Sequence, residues 1–242
     1  MTTSVYPEYK ESGVPWLGHV PEHWEVKALK YVASCNDESV SETTPPDFEL
    51  QYVDISSVDS IRGITAYECL TFENAPSRAR RIARNGDTIV STVRTYLKAI
   101  TPIVDPPPNL VVSTGFAVIR PKNEVFSGYL SYLLRCEGFV SEIMAYSVGI
   151  SYPAINPSDL MRLRVSIPPL EEQRAIASFL DRKTAQIDEL IAKKEALLKK
   201  LDEKRTALIT QAVTKGVDPS VPMKETGVVW IGEIPNNTAK QL

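Results

Sequence analysis

Cysteine and histidine are scarce in this chain of 242 residues. Cys35, Cys69 and Cys136 are odd in number and far apart. They make neither a disulfide framework nor a CxxC pair, and the spacing predicts three reduced, mostly buried thiols. His19 and His23 stand four apart, but Pro21 between them argues against the helix on which such a pair would hold a metal. With two histidines and no nucleophile near them, Ser-His-Asp and Cys-His catalysis find no support. No apolar run approaches the roughly 20 residues of a membrane span. The opening "MTTSVYPEYKESG" has no apolar stretch after a basic start, so no signal peptide is read and the cytoplasm is the expected address. A Walker A sequence is missing, which excludes ATP-driven translocation. "DPPPN" at 105–109 has Pro108 where a base-flipping methyltransferase needs an aromatic ring. Asp54 and Asp59 are followed by no lysine at nuclease-like spacing. These absences predict no catalytic residue, no metal and no cofactor.

What is present is ordinary in bulk and uneven in detail. Apolar content is 43%, charged content 24% and net charge −3, as in a globular protein of one or two domains. Residues 78–98, however, carry Arg78, Arg80, Arg81, Arg84, Arg94 and Lys98 against Asp87 alone. This is the most basic window in the chain.

The chain divides at Pro168-Pro169. Before it, the β-like runs "QYVDI" (51–55), "DTIVSTV" (87–93) and "GFAVI" (115–119) sit between turn signals. Residues 128–146 read as two short helices broken at Gly138, and 160–167 as a last strand. Strands and helices do not alternate regularly, so the fold class is α+β, a mixed domain followed by one long helix. After Pro169 about 45 residues run without proline or an internal glycine, with acids in the first turn, Lys215 in the last and Gly216 beyond. A helix of that length spans ~65–70 Å. Leu180, Ile187, Leu201 and Leu208 share one heptad position, broken by Lys194, and Leu190 and Leu197 a second, with Ile191 and Leu198 beside them. That is a coiled-coil seam, which needs a partner helix.

The chain also repeats its own opening. "YKESGVPWLGHVP" (9–21) and "MKETGVVWIGEIP" (223–235) agree at seven of thirteen positions at a constant offset of 214. The period is one domain plus one helix, and the likeness fades at Asn236, Asn237 and Thr238. The expected organisation is a domain over 1–168, a helix over 169–216, and the partly ordered start of a second repeat over 217–242.

A domain, a long helix and the same opening again resemble the specificity subunit of type I restriction–modification systems. "SGVPWLGHVPEHWEVKALK", "GDTIVSTVR" (86–94), "STGFAVIRPK" (113–122) and "SVGISYPAINPSDLMRLRVSIPPLEEQRAI" (147–176) carry the resemblance, with the helix 180–216. The resemblance implies a non-catalytic subunit that reads double-stranded DNA. Such subunits hold methyltransferase (modification) subunits and, through the assembly, restriction subunits. They usually carry two recognition domains and two antiparallel helices, whereas one domain and one helix stand here. The expectation is therefore a half-length form that pairs as a homodimer and reads an interrupted palindrome.

A DNA reader needs cations for phosphates and planar donors for base edges. Arg78, Arg80, Arg81 and Arg84 suit a phosphate track. Ser91, Thr92, Arg94, Tyr96 and Lys98 follow a β-like run, and an arginine can take guanine bidentately. Ser147, Ser151 and Tyr152 in "SVGISYP" (147–153) form a second candidate loop. Taken singly, each of these residues also fits a solvated charge or a turn. The rival reading is a regulatory protein that competes for specificity or methyltransferase subunits without reading DNA.

Overall fold

The computed structural model describes residues 6–218, 220–228 and 232–236. Two compact units divide at Phe179/Leu180. The first is built on two four-stranded sheets. One has the order Ile100–Pro102, Thr88–Ser91, Phe116–Pro121, Ala33–Cys35, antiparallel throughout. The other has the order Glu68–Thr71, Glu49–Val53, Leu110–Ser113, Ala79–Ile82, with Leu110–Ser113 parallel to Glu49–Val53.

Period-two alternation explains the packing. Ile89, Phe116 and Val118 of the first sheet share a core with Val53, Leu110 and Val112 of the second, so the sheets face each other. Their alternates Val90, Ala117 and Ile119 turn outward and pack on the helices Ser127–Arg135 and Glu137–Ala145. On the outer face of the second sheet, Leu50, Tyr52 and Val111 form a smaller cluster. Central strands are thus buried on both faces, which is why "GFAVI" reads as a near-continuous apolar run and why even the polar Thr88 and Ser91 are buried.

Three expectations are corrected. The break between the two short helices falls at Cys136, not Gly138. Gly138 lies inside the second helix because Trp16 covers it; a Cβ there would stand 2.4 Å from Trp16 Cε3. The last strand is only Arg164–Ile167, since Pro157–Leu160 forms a helical turn before it. The cysteines are not mostly buried: Cys69 is exposed and the other two are half-buried. Burial pushes the Cys35 thiol up to about 11.

The long helix runs Leu170–Lys215. Its first turns belong to the first unit. Gln173, 1% exposed, accepts from Phe126 N at 2.8 Å and donates to Pro168 O at 2.8 Å and Glu124 O at 3.2 Å. Glu172 receives hydrogen bonds from Tyr6 Oη, His23 Nε2 and Trp24 Nε1 at 2.9, 2.7 and 3.0 Å. Burial alone would raise its pKa, but these donors hold the carboxyl below its usual range.

In the second unit the heptad residues Ile187, Leu190, Ile191, Leu197, Leu198, Leu201 and Leu208 are all about half exposed, and Leu180 is half-buried. The repeated opening recurs in three dimensions. Tyr9–Glu11 pairs with His19–Pro21, and Met223–Glu225 pairs with Glu233–Pro235 in the same register. Val14 N donates to Ser12 Oγ and Val228 N to Thr226 Oγ1, both at 3.1 Å. Gly13 and Gly18 take positive φ, and so do Gly227 and Gly232. Trp230, Ile231, Asn237 and Thr238 of the sequence comparison lie outside the described residues.

Candidate nucleic-acid interface

The basic window 78–98 is contiguous in sequence, and the fold takes it apart. Strand Ala79–Ile82 leads away from Arg78, a turn with Gly86 at φ +89° reverses the chain, and Thr88–Ser91 returns it. Arg78 O accepts from Thr114 N, and Thr92 N donates to Gly115 O, each at 2.8 Å, so Arg78 and Thr92 meet at one end of the sheets. Ala83 N donates to Leu110 O at the other end of strand Leu110–Ser113, which places Arg84 there.

Arg84 is held by Glu38, with Nε to Oε1 at 2.8 Å and Nη2 to Oε2 at 2.5 Å. Arg120 donates to the same carboxylate. Arg84 first and Arg120 second hold the Glu38 carboxyl down to about 2. Asp87, the lone acid of the window, is 1% exposed and takes both Nε and Nη2 of Arg120 at 2.8 Å. Arg81 is half-buried and bonds Asn36 Oδ1 at 2.6 Å and the Phe116 carbonyl. Arg80 stacks 5.1 Å from the Phe72 ring centre. Arg81 thus ties the second sheet to the first, while Arg84 shares Glu38 with Arg120 and Arg80 lies on Phe72. Ser91 and Thr92 are also turned inward: their hydroxyls donate to Val93 O and Gly115 O, and both residues are buried. They shape the next loop instead of lining its surface.

That loop is the centre of the site. Arg94 and Lys98 adopt left-handed backbone, φ +50° and +51°, at either end of the short turn Thr95–Leu97. Non-glycine residues take this conformation only when their surroundings enforce it. Here the enforcement comes from residues 147–155. Thr95 Oγ1 and Ser147 Oγ share a hydrogen bond of 2.9 Å, Thr95 N donates to Pro153 O at 3.3 Å, and Ile155 N to Thr92 O at 2.9 Å. Val148 and Ala154 exchange backbone bonds of 2.8 and 3.0 Å. The result is one platform from two loops, with the Arg94 guanidinium 5.0 Å over the Tyr152 ring. Tyr96, Ser151 and Tyr152 are exposed on it. Arg78 is exposed at the same end and paired with Asp54 at 3.1 Å. Lys98 is paired with Glu137 at 2.8 Å.

The arrangement brings Arg78, Arg94, Tyr96, Lys98, Ser151 and Tyr152 together and leaves Arg80, Arg81, Arg84, Ser91 and Thr92 elsewhere or inside. It also adds cations that sequence reasoning missed. Arg62 is exposed at the turn of the hairpin Val58–Asp59/Gly63–Ile64, where Asp59 Oδ1 accepts from Ile61 N and Arg62 N at 2.8 Å. The turn signal Asp-x-x-Arg-Gly could have flagged it. Arg135 ends a helix near Lys98 and carries no sequence signal. A planar cation on an aromatic face, with further cations and hydroxyls at one end, can bind phosphates and donate bidentately to a base edge. Among the described residues no group of His, Cys, Asp and Glu could hold a metal, and no helix is long and apolar enough to cross a membrane.

Residues 21–200 match the family model of the type I restriction modification DNA specificity domain. The chain belongs to this family. This specificity domain is 26% identical over 194 residues to the type I restriction enzyme MjaIX specificity subunit of Methanocaldococcus jannaschii, covering 78% of the chain and 42% of the relative. Against the EcoKI specificity subunit of Escherichia coli it is 32% identical over 96 residues, 40% of the chain and 21% of the relative. The crystal structure of the HsdS subunit from Thermoanaerobacter tengcongensis superposes with a TM-score of 0.65 at 31% identity, covering 86% of this chain and 51% of that one. The chain spans about half, or less, of the length of the curated relatives it matches.

Proposed function

We propose that the chain is the DNA-reading module of a type I restriction–modification assembly and carries no chemistry of its own. The observation that carries this reading is the Arg94–Tyr152 platform. Two segments far apart in sequence are locked together to present a planar cation and exposed aromatic rings. Arg94 reads a base edge, while Arg78 and Lys98 exchange their carboxylate partners for phosphates. Residues 1–168 form the recognition domain, 169–216 the helix, and 217–242 begin a second copy of the opening.

The helix supplies spacing and assembly. Its half-exposed seam supports antiparallel pairing with a second copy of this chain. The pair presents two identical readers to an interrupted palindrome. It also forms the platform for methyltransferase subunits, which bring the methyl donor, and through them for the restriction subunit. Long-read methylome sequencing of cells carrying the chain with its methyltransferase subunit tests this. Methylation at one two-part symmetric sequence is expected. Its absence, with competition against a full-length specificity subunit, would favour the regulatory reading instead.

A further inference from the structure

Beside Lys98 the surface opens into a cavity of about 200 Å³, lined by Ser60, Lys98, Ile100, Arg135, Glu137 and Val140. Its floor is apolar, since Ile100 and Val140 are each 4% exposed. Charges over such a floor are screened less than in open water. Its rim carries two cations and a hydroxyl. Arg135 is oriented by the Tyr132 ring, 4.8 Å from its guanidinium carbon, and by Nε donating to Ser131 O at 3.3 Å. Lys98 Nζ is held by both oxygens of Glu137, at 2.8 and 3.1 Å. The Glu137 side chain is 78% exposed, so it can swing away without opening the core. The cavity adjoins the turn that begins at Arg94 and ends at Lys98, and Ser60 brings the Arg62 hairpin to its edge.

We propose that this cavity seats one phosphate of the DNA backbone. Lys98 and Arg135 are its cations and Ser60 its hydroxyl donor. Glu137 is a built-in competitor that keeps Lys98 extended over the cavity until a phosphate displaces it. The proposal rests on the reading of the neighbouring platform as a DNA reader. It adds residues that positional charge alone does not single out, and it gives Glu137 a role opposite to that of an ordinary binding residue.

The test follows binding of the full chain to a mixed-sequence duplex by fluorescence anisotropy across a salt series. A phosphate contact is sequence-independent, so the target need not be known. Arg135→Gln is expected to reduce the slope of log K against log salt by about 0.9, and Arg135→Lys to restore it. Glu137→Gln is expected to tighten binding about two- to fivefold, as loss of one competing surface ion pair requires. Wild-type binding with neither change in variants that melt like the wild type overturns the phosphate seat and leaves the platform standing. A wild-type chain that fails to bind duplex even at low salt overturns the platform and the seat together. Inorganic phosphate that binds at Arg135 without displacing any duplex at constant ionic strength would mark a free-anion site and also overturn the proposal.

Discussion

Removing Arg120 should destabilise the first unit severely while leaving the Arg94–Tyr152 end intact. Arg120 bridges two carboxylates. Two of its nitrogens lie 2.8 Å from the Asp87 oxygens, and a third reaches Glu38 at 2.5 Å. Asp87 is 1% exposed, and its remaining polar support is the Arg84 backbone N–H at 2.8 Å. Arg120→Ala therefore strands a carboxylate out of water. Breaking one side of a buried pair costs about 3–5 kcal/mol. Arg120 itself is 26% exposed, so water can enter the gap, and the lower bound of about 3 kcal/mol applies. For a domain of this size each kcal/mol moves the melting temperature by about 2–4 °C, giving a fall of about 6–12 °C. Thermal unfolding followed by circular dichroism, at fixed chain concentration, reads it out. The double variant Arg120→Ala/Asp87→Ala should recover part of the loss, because no orphan charge is left. A fall under about 2 °C for the single variant, or strictly additive effects, would refute the reasoning.

Further outcomes are expected. Arg94→Ala should reduce discrimination between target and mixed-sequence duplex by about 5- to 150-fold, the equivalent of about 1–3 kcal/mol; Arg94→Lys should keep the salt slope but not the discrimination, and an unchanged ratio would count against the platform. Leu190→Lys with Leu197→Lys should convert a dimer to a monomer in sedimentation, while a wild-type monomer at micromolar concentration, with and without methyltransferase subunit, would sink the pairing. Gly138→Ala should cost about 1–3 kcal/mol by driving a methyl into Trp16, and urea unfolding measures it. Glu38, lowered from 4.5 to about 2 by Arg84 and Arg120, favours folding above its usual pKa and loses that effect as pH falls from about 4.5 towards 2. Glu38→Gln should therefore melt below the wild type at pH 7 and converge with it in acid.

The long helix was legible because no proline or glycine between Leu170 and Lys215 breaks it and apolar residues recur at heptad spacing on either side of Lys194. The strand pattern was legible where both faces are buried, as in Thr88–Ser91 and Phe116–Pro121. What sequence could not show was direction. The turn at Gly86 sends Arg84 to one end of the sheets and Arg94 to the other, so a single basic window becomes two unrelated charge groups. Asp87 looked like a stray acid in that window and is the buried counter-ion of Arg120. Gly138 looked like a helix breaker because its reason for being glycine, the Trp16 ring, lies 122 positions away in sequence. The Arg94–Tyr152 contact joins two loops that no local pattern links, while Arg62 and Arg135 are isolated cations in sequence whose setting comes only from their neighbours in space.

The duplicated hairpin bears on how such proteins change. Met223–Glu225 and Glu233–Pro235 reproduce the strand register of the opening, and Thr226 takes up the hydrogen-bonding place of Ser12. In the first copy the apolar face is covered, with Val14 8% exposed; in the second Val228 is 38% exposed. The second copy thus follows the long helix with an apolar residue open to cover. Under the function proposed above, a different recognition domain joined in frame after this helix would inherit the same ruler, so specificity would change while the spacing between half-sites stayed constant.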